Sequence, residues 1–478
     1  MYLEAVSVFL VAVLKRHSPW AFLKEEAGWR HMTHVEKDSI FSLGVFAYDE
    51  GVKTINLRRV LSHWEPSHVG YGLAALGSLG FGLRVALALF SFGSNDIRTW
   101  NIFALLIDQV GVSCSLYEHV RQFNHPPLMG YLASGTLRIS QAFGIPFALA
   151  FKLPMICADV LATFLLWKIW KRRCGLPFAG LAVAAFGGSM VSILVSSFHG
   201  NTDSLSAFLC LLCAYFIESR LPFAGGLALA GAINVKLLPI VLIPAFVLSY
   251  RSWSELMKFI AGSAVGLLPF LPFLIGCRES FYQNAIRYNS NVDQWGIMLF
   301  LLQGGRNPAF RGISLRIADF YIPNGRFIIM GLIVLLSLWA RVKSRWNCYE
   351  LGAMCFSIFL IFTPGFGVQY LVYVCPLLFA VSLGWAILYS TLAGIFLASV
   401  YYAFWTGTLP FYSEFISAFP MPTPLFGLLA WMLLVQFVLC CLFRGVGGQD
   451  RWAENQTGEG RSTPIISSGE IPAGLDDR

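Results

Sequence analysis

Four short polar patches interrupt a chain that is otherwise strongly apolar, and they contain side chains that could do chemistry. The patches are GSNDIRTW with Asp96, HPPL with His125, HGNTD with His199 and Asp203, and TPGFGVQY with Gln369. A carboxylate can take a proton from a hydroxyl within hydrogen-bond distance, and partial desolvation at a membrane surface can raise its pKa. Imidazole and amide groups can hydrogen-bond to a polar substrate. These residue types indicate a site for binding or for proton transfer.

Each of these side chains also has a structural alternative. Asn95 or Asp96 could cap a helix that starts at Ile97, and Asp203 could cap the helix after its own turn. His125 precedes two prolines, whose rings hold the backbone extended, so its imidazole could face an aqueous cavity or cap the helix that follows. From the residues alone, both interpretations are open.

The composition predicts that a membrane surrounds these patches. Of the 478 residues, 56% are hydrophobic and 13% are charged, and the mean hydropathy is +0.65. Apolar runs such as 71–92 and 145–167 are long enough to cross a hydrocarbon core of about 30 Å. The runs are continuous rather than alternating, which favours helices over a barrel. The sequence therefore predicts an all-α polytopic membrane protein with roughly twelve membrane helices.

The distribution of Lys and Arg predicts the orientation. The net charge of +8 comes from residues in loops beside apolar runs, so we expect no nucleic-acid partner. Basic clusters at 168–173 and 341–345 follow apolar runs directly and mark cytoplasmic ends. Parity then places a large first loop, 93–144, and all four polar patches outside. The predicted location is a bacterial inner membrane, with the site facing the periplasm.

The composition also divides the chain into three segments. Residues 1–66 are expected to form an N-terminal cytoplasmic segment, residues 67–445 the transmembrane domain, and residues 446–478 a disordered cytoplasmic tail, because the tail is too polar to form a core. Most of the eleven cysteines lie in apolar runs and are interpreted as small buried hydrophobes. Cys210 and Cys213 have a CxxC spacing without a second pair, so we expect no metal site there.

Two charged features lie elsewhere in the chain. Lys236 is at the centre of an apolar run, 221–250, that is too long for one crossing, and the sequence NVKLLP predicts a helix break there. Lys236 could bind a phosphate or extend to the surface. A long external loop, 277–325, begins with Arg278 and Arg287, whose guanidinium groups suit phosphate recognition. Asp159, inside a span, is expected to have a structural hydrogen-bonding role.

The order of the motifs resembles a known enzyme superfamily. Along residues 70–390 the chain contains, in sequence, YEHVRQFNHPPLMGYL, KLPMICADVLATFLLWKIWKRR, HGNTDSL, NVKLLPIVLIP and TPGFGVQYLVYVCPLL. This arrangement resembles the GT-C superfamily of integral membrane glycosyltransferases. Within that superfamily it is most similar to the bacterial branch that uses polyprenyl-phosphate sugars, of the mannosyltransferase and family 87 type.

The resemblance implies an inverting transfer of a hexose, of the mannose or glucose type, from a polyprenyl-phosphate donor to a hydroxyl of a lipid or glycan acceptor. It assigns the catalytic carboxylate, at the start of the first external loop, to Asp96. Many members have two adjacent acids at this point, whereas this chain has Asn95 and Asp96, so we expect no metal and no cofactor. The substrate-binding residues expected are His125, His199, Asp203, Lys236, Arg278, Arg287 and Gln369.

The alternative function is a secondary transporter of a polar or lipid-linked solute. Such transporters also have many spans, broken helices and charges at membrane depth, but they usually consist of two similar halves. In this chain the first half has the acidic loop and the Pro-Pro helix, and the second half has a long loop rich in Arg. This asymmetry favours the enzyme. A non-catalytic scaffold is disfavoured because it would not require Asp159 and Lys236 at membrane depth.

Overall fold

A computed structural model describes residues 66–444 except 289, 291, 293, 294, 344, 345, 409, 416–418, 421 and 422. The predicted N-terminal segment, apart from Pro66, and the predicted tail, 446–478, lie outside the described residues.

The described part of the chain is an α-helical membrane bundle. Six of its helical segments are long and apolar enough to cross a membrane, or seven if one bent pair counts as a single span. The predicted all-α polytopic fold is confirmed, whereas the expected number of roughly twelve membrane helices exceeds the spans that length alone identifies. The difference arises because four apolar segments are only 10–17 residues long. These segments are Pro222–Val235, Leu238–Ser249, Cys348–Phe362 and Val368–Val381.

The first part of the bundle contains the first span and the three helices of the first loop. The elements are α1 (Pro66–Phe90), the short strand β1 (Ser91–Ser94), α2 (Asn95–Val110), α3 (Cys114–His119) and α4 (Pro127–Phe143). The helix predicted after the Pro pair is α4, and Pro127 occupies its first turn, where proline's missing N–H has no intrahelical partner to lose.

The next part carries the HGNTD patch. The elements are α5 (Phe147–Cys174), α6 (Leu176–Gly187), α7 (Met190–Ile193), a π-helical segment (Leu194–His199), α8 (Asp203–Glu218) and α9 (Pro222–Val235). Helix α6 and the 190–199 segment form the bent pair, with an angle of 45° between them. After α9 the chain breaks at Lys236 and continues as a 3-10 turn (Leu238–Leu242) and α10 (Ile243–Ser249). The predicted break at Lys236 is confirmed.

The second half differs from the sequence interpretation in one region. Its first elements are α11 (Trp253–Leu267), a 3-10 turn (Leu268–Phe270), α12 (Leu271–Gly276), α13 (Arg278–Phe281), a π-helical turn (Tyr282–Ile286), α14 (Gly296–Arg306) and α15 (Arg311–Lys343). The prediction of a loop over 277–325 is wrong, because much of this segment is helical. Helix α15 passes through Pro323 without ending, so the Pro and Gly residues near position 325 are not a helix boundary.

The last elements include a strand, β2, that pairs with β1 at the start of the first loop. They are α16 (Cys348–Phe362), a 3-10 turn (Val368–Val372), α17 (Cys375–Val381), α18 (Leu383–Ala403), β2 (Phe411–Ser413) and α19 (Thr423–Arg444). Strands β1 and β2 pair in parallel, with Ser91 opposite Phe411 and Ser94 opposite Ser413. The segment just before Asp96 is therefore fixed to the loop between the last two helices.

A buried ion pair braces the bend between α6 and α7. The Arg84 side chain is fully buried and its Nε lies 3.0 Å from Oδ2 of Asp159. The same guanidinium group donates to the Gly187 carbonyl oxygen at 2.6 Å and to Ser192 Oγ at 2.9 Å. Gly187 is the last residue of α6, so Arg84 satisfies a carbonyl that the bend leaves without a helical partner. This arrangement agrees with the structural role expected for Asp159.

A disulfide joins the two loop segments at the end of the bundle where Asp96 lies. It links Cys114, at the start of α3, with Cys277, just before α13. A nearby hydrogen bond, from Asn284 Nδ2 to the Tyr117 carbonyl oxygen at 2.7 Å, reinforces this contact. The two cysteines are 163 residues apart, and sequence spacing alone does not identify such a pair.

Candidate active site

Asp96 lies in the first turn of α2 and does not cap that helix. The N-cap is Ser94, whose Oγ accepts a hydrogen bond from the Asp96 backbone N–H at 3.3 Å. The alternative in which Asn95 or Asp96 merely caps the helix is therefore wrong. The Asp96 carboxylate is released for another role, and its side chain is 30% exposed.

One oxygen of the Asp96 carboxylate is held by two donors. His199 Nε2 lies 3.0 Å from Oδ2, and Asn201 Nδ2 lies 2.5 Å from the same oxygen. The amide of Asn201 is oriented because its Oδ1 accepts the Thr202 backbone N–H at 2.6 Å. Within the described part of the chain, no hydrogen bond reaches the other oxygen, Oδ1. The carboxylate is thus fixed through Oδ2, and Oδ1 is free to accept a proton.

The electrostatics of Asp96 differ from the sequence expectation. Burial raises its pKa, but the interaction and hydrogen bond with His199, the charge of Lys236 and the hydrogen bond from Asn201 outweigh that effect. Together they lower the pKa of Asp96 from 3.8 to about 2. The expectation of a raised pKa is therefore wrong, because it considered desolvation without the positive and hydrogen-bonding neighbours. Asp96 is therefore ionised at neutral pH, which is the charge state that a general base requires.

Two glycines allow the segments that carry Asp96 and His199 to approach each other. Gly93 has φ +110° and Gly200 has φ +67°, conformations that other residues rarely adopt. A β-carbon at Gly93 would overlap the Phe198 carbonyl oxygen, and one at Gly200 would overlap the Ile97 side chain. The approach is closed by Ser94 Oγ, which donates to the His199 carbonyl oxygen at 2.9 Å.

Two aromatic rings pack against the His199 imidazole. The Tyr401 ring centroid lies 5.6 Å away and that of Phe415 lies 5.9 Å away, both nearly parallel to the imidazole. Only 1% of His199 is exposed. Its Nδ1 is buried, and the described residues provide no hydrogen-bond partner for it. His199 was expected to bind substrate, but its burial and its bond to Asp96 suit a residue that positions the carboxylate.

Lys236 and Asp203 form a second charged pair in the same cluster. Lys236 Nζ lies 2.9 Å from each carboxylate oxygen of Asp203 and 4.7 Å from the centroid of the Tyr370 ring. Asp203 is fully buried, whereas the Lys236 side chain is 15% exposed. Asp203 therefore holds the lysine instead of facing a substrate. The N-cap of α8 is Thr202, so the capping alternative for Asp203 is also wrong. Lys236 does not extend to the surface.

His125 completes the cluster from the loop before α4. Its ring centroid lies 4.3 Å from that of Trp100, and its backbone carbonyl oxygen accepts the Tyr117 hydroxyl at 2.8 Å. Burial and the charge of Lys236 lower the pKa of His125 to about 3, against an opposing effect of Asp96. The imidazole is therefore neutral at physiological pH. Its Nδ1 has no hydrogen-bond partner in the described part of the structure.

The remaining candidates are not joined to this cluster by the hydrogen bonds and ion pairs of the described residues. Arg278 and Arg287 are exposed, and Arg287 Nη1 lies 3.4 Å from Gln283 Oε1. Gln369 is partly buried beside Tyr370. Three residues after Arg287, the Ser290 side chain contacts Tyr370. This segment therefore reaches the cluster even though Arg287 does not.

Sequence reasoning missed Asn201 and Tyr370. Asn201 lies between two residues that were singled out, in HGNTD, and its position two residues after His199 was a usable signal. Tyr370 follows Gln369 directly, but a tyrosine in an apolar run carries no sign that a lysine packs on its ring.

The geometry thus combines a fixed carboxylate, a lysine whose side chain is partly exposed and a neutral imidazole. This combination suits proton removal from a hydroxyl beside an anionic group. Residues 139–368 match glycosyltransferase family 87. The match agrees with a GT-C-like membrane glycosyltransferase and confirms the resemblance seen in the motifs. The family 87 region includes His199, Asp203 and Lys236. Asp96 and His125 precede that region, and the fold brings them to it.

Proposed function

We propose that the protein transfers a hexose from a polyprenyl-phosphate donor to a hydroxyl of a lipid or glycan acceptor. The observation that carries this proposal is the Asp96 carboxylate, which His199 and Asn201 hold through Oδ2 while Oδ1 is free. Glycosyl transfer requires such a base to take the acceptor proton. The match to glycosyltransferase family 87 supports the same class of reaction.

In the proposed reaction the acceptor oxygen attacks the anomeric carbon from the side opposite the phosphate. The bond between the acceptor oxygen and the anomeric carbon forms as the bond between that carbon and the phosphate oxygen breaks. The bonding electron pair leaves with the phosphate, and the hydroxyl proton passes to Asp96 Oδ1. The products are polyprenyl phosphate and a glycoside with inverted anomeric configuration.

Lys236 is proposed to bind the donor phosphate. Its side chain is 15% exposed, and it interacts electrostatically with both Asp96 and His125. A cation at this point stabilises the negative charge that develops on the leaving phosphate. Asp203 and Tyr370 fix the lysine side chain. The neutral imidazole of His125 can donate a hydrogen bond to the donor, and Arg278, Arg287 and Gln369 remain proposed donor contacts.

The external, periplasmic face is the proposed side of transfer. The last turn of α5 contains Lys171, Arg172 and Arg173, and α5 begins near Asp96, so this basic cluster lies at the opposite end of the bundle. Basic residues favour the cytoplasmic side. The disulfide near Asp96 gives independent support, because disulfides persist in oxidising compartments such as the bacterial periplasm.

The proposal is tested by incubating purified protein with a panel of polyprenyl-phosphate sugars and a short-chain glycoside acceptor, and identifying products by mass. We expect one sugar to be transferred, with inversion at the anomeric carbon. If the acceptor gains no sugar, and the protein instead moves the intact donor across a vesicle membrane, the transporter alternative replaces the enzyme. Retention of anomeric configuration would contradict direct displacement.

A further inference from the structure

Lys152 is a buried lysine beside the residues of the site, and the proposed reaction does not use it. Lys152, in the second turn of α5, is fully buried. Its Nζ donates to the carbonyl oxygen of Ser91 at 2.8 Å and to Ser91 Oγ at 3.1 Å. No carboxylate of the described residues lies within 4.0 Å of this ammonium group. Lys152 thus has a buried amino group that only neutral acceptors hold.

The position of Lys152 is between the two segments that form the site. A β-carbon built on Gly93 would lie 3.4 Å from Lys152 Nζ, and one built on Gly200 would lie 3.4 Å from Lys152 Cγ. Gly93 belongs to β1, which leads into Asp96, and Gly200 follows His199 directly. The lysine side chain therefore fills the space where β1 meets the turn that carries His199.

Packing alone does not explain a lysine in this place. Burying an ammonium group without a carboxylate costs free energy, and an apolar side chain of similar length would fill the same space without that cost. What an apolar side chain lacks is the pair of hydrogen bonds that fixes Ser91. Ser91 is the first residue of β1, and Ser94 at the end of β1 bonds to both the Asp96 N–H and the His199 carbonyl oxygen.

We propose that Lys152 is a positioning residue, which anchors β1 against the turn at Gly200 so that Asp96 stays within hydrogen-bond distance of His199. Lys152 does not touch the substrate. This inference rests on the proposed function, since it assigns Lys152 a part in placing the catalytic base.

The test is the substitution Lys152→Met, assayed for sugar transfer in parallel with Lys168→Met. Lys168 is exposed near the other end of the same helix, so the control loses the same charge without affecting β1. For Lys152→Met we expect kcat to fall by about 100-fold, the effect of misplacing a catalytic group by about 1 Å. The KM for the donor should not change, because Lys236 is intact. The acid limb of the kcat profile should move to higher pH as Asp96 loses contact with His199.

Thermal unfolding separates this positioning role from a structural one. Lys152→Met removes the cost of burying an amino group but also removes a donor to two Ser91 acceptors. Because these two effects oppose each other, the variant should unfold close to the wild-type temperature. A lower unfolding temperature, with kcat per folded molecule unchanged, would overturn the proposal. If Lys152→Met does not fold, Ser91→Ala decides, because it removes only one of the two acceptors. We expect that variant to lose about fivefold in kcat, and wild-type kcat would overturn the proposal.

The same experiment distinguishes failure of this inference from failure of the proposed function. If wild-type protein transfers no sugar from any donor, the proposed function is wrong. If wild-type protein and Lys168→Met transfer sugar and Lys152→Met does so equally well, with an unchanged pH profile, only the role of Lys152 is wrong.

Discussion

Replacing His199 should change how the reaction depends on pH. The low pKa of Asp96, about 2 instead of 3.8, corresponds to about 2 kcal/mol in favour of the ionised carboxylate. His199 supplies two of the effects that lower it. In His199→Leu these two effects disappear while much of the effect of burial remains, so the pKa of Asp96 should rise toward its ordinary value or beyond it.

The direction of the change in rate follows from the negative charge that Asp96 must carry. Asp96 must be ionised to accept a proton, so the rate increases with pH through its pKa. In the wild-type protein this limb should lie near pH 2, so we expect a constant rate over the range in which the protein can be assayed. In His199→Leu the limb should enter that range, with a loss of rate between about pH 6 and pH 4.

The assay is the transfer rate at saturating donor, measured over this pH range for wild-type protein, His199→Leu and His199→Gln. Glutamine can keep a hydrogen bond to Asp96 Oδ2 through its amide N–H, so its limb should move less than that of leucine. At neutral pH, His199→Leu should also be about 10- to 100-fold slower, because Oδ1 is no longer oriented. A leucine variant with the wild-type pH profile would refute the role assigned to His199.

Three further substitutions test other parts of the site. Lys236→Met should raise the KM for the donor by about 10- to 100-fold, which corresponds to the loss of one charge-assisted hydrogen bond. Lys258 is exposed, and Lys258→Met should leave this KM unchanged. Equal KM values for the two variants would contradict phosphate binding at Lys236. Gly200→Ala should lower both the unfolding temperature and the transfer rate more than Gly111→Ala. Both glycines have positive φ, but only at Gly200 would a β-carbon overlap another side chain, that of Ile97. Equal effects would refute the close approach of the segments that carry Asp96 and His199. Cys277→Ser should free its partner Cys114 and so add one maleimide label without reductant. A number of labels that falls by one would show that both cysteines are free in the wild-type protein.

Much of the fold was predictable because membrane insertion leaves strong local signals. The break at Lys236 followed from a run too long for one span with a proline at position 239, and α4 followed from its Pro pair. The segment 277–325 was wrongly predicted as a loop, since α15 begins inside it at Arg311 and continues through Pro323. The disulfide and the pairing of β1 with β2 depend on residues far apart in the chain, and no local pattern encodes them.

Which residues form the site was easier to predict from the sequence than the chemical role of each residue. The structure gathers Asp96, His125, His199, Asp203 and Lys236, which the polar patches and the helix break had indicated. Their roles depend on which side chain pairs with which, and pairing is set by tertiary structure. The low pKa of Asp96 is a consequence of that pairing, as is the use of Asp203 to hold a lysine.

Lys152 shows a further limit of the sequence analysis. In the sequence it stands in KLPMICADV between apolar residues, where a lysine near a helix end is usually expected to extend toward the membrane surface. Only the structure shows that its ammonium group is instead buried against Ser91.

The most direct test of the central claim, that Asp96 is the catalytic base, is the transfer rate of Asp96→Asn relative to Asp108→Asn. Both residues lie in α2, and Asp108 is exposed away from the site, so the pair matches in helix, chemistry and loss of charge. We expect Asp96→Asn to lose about 10²- to 10⁴-fold in rate, whereas Asp108→Asn should keep the wild-type rate and both variants should remain folded. An Asp96→Asn variant that transfers sugar as fast as Asp108→Asn would contradict the account.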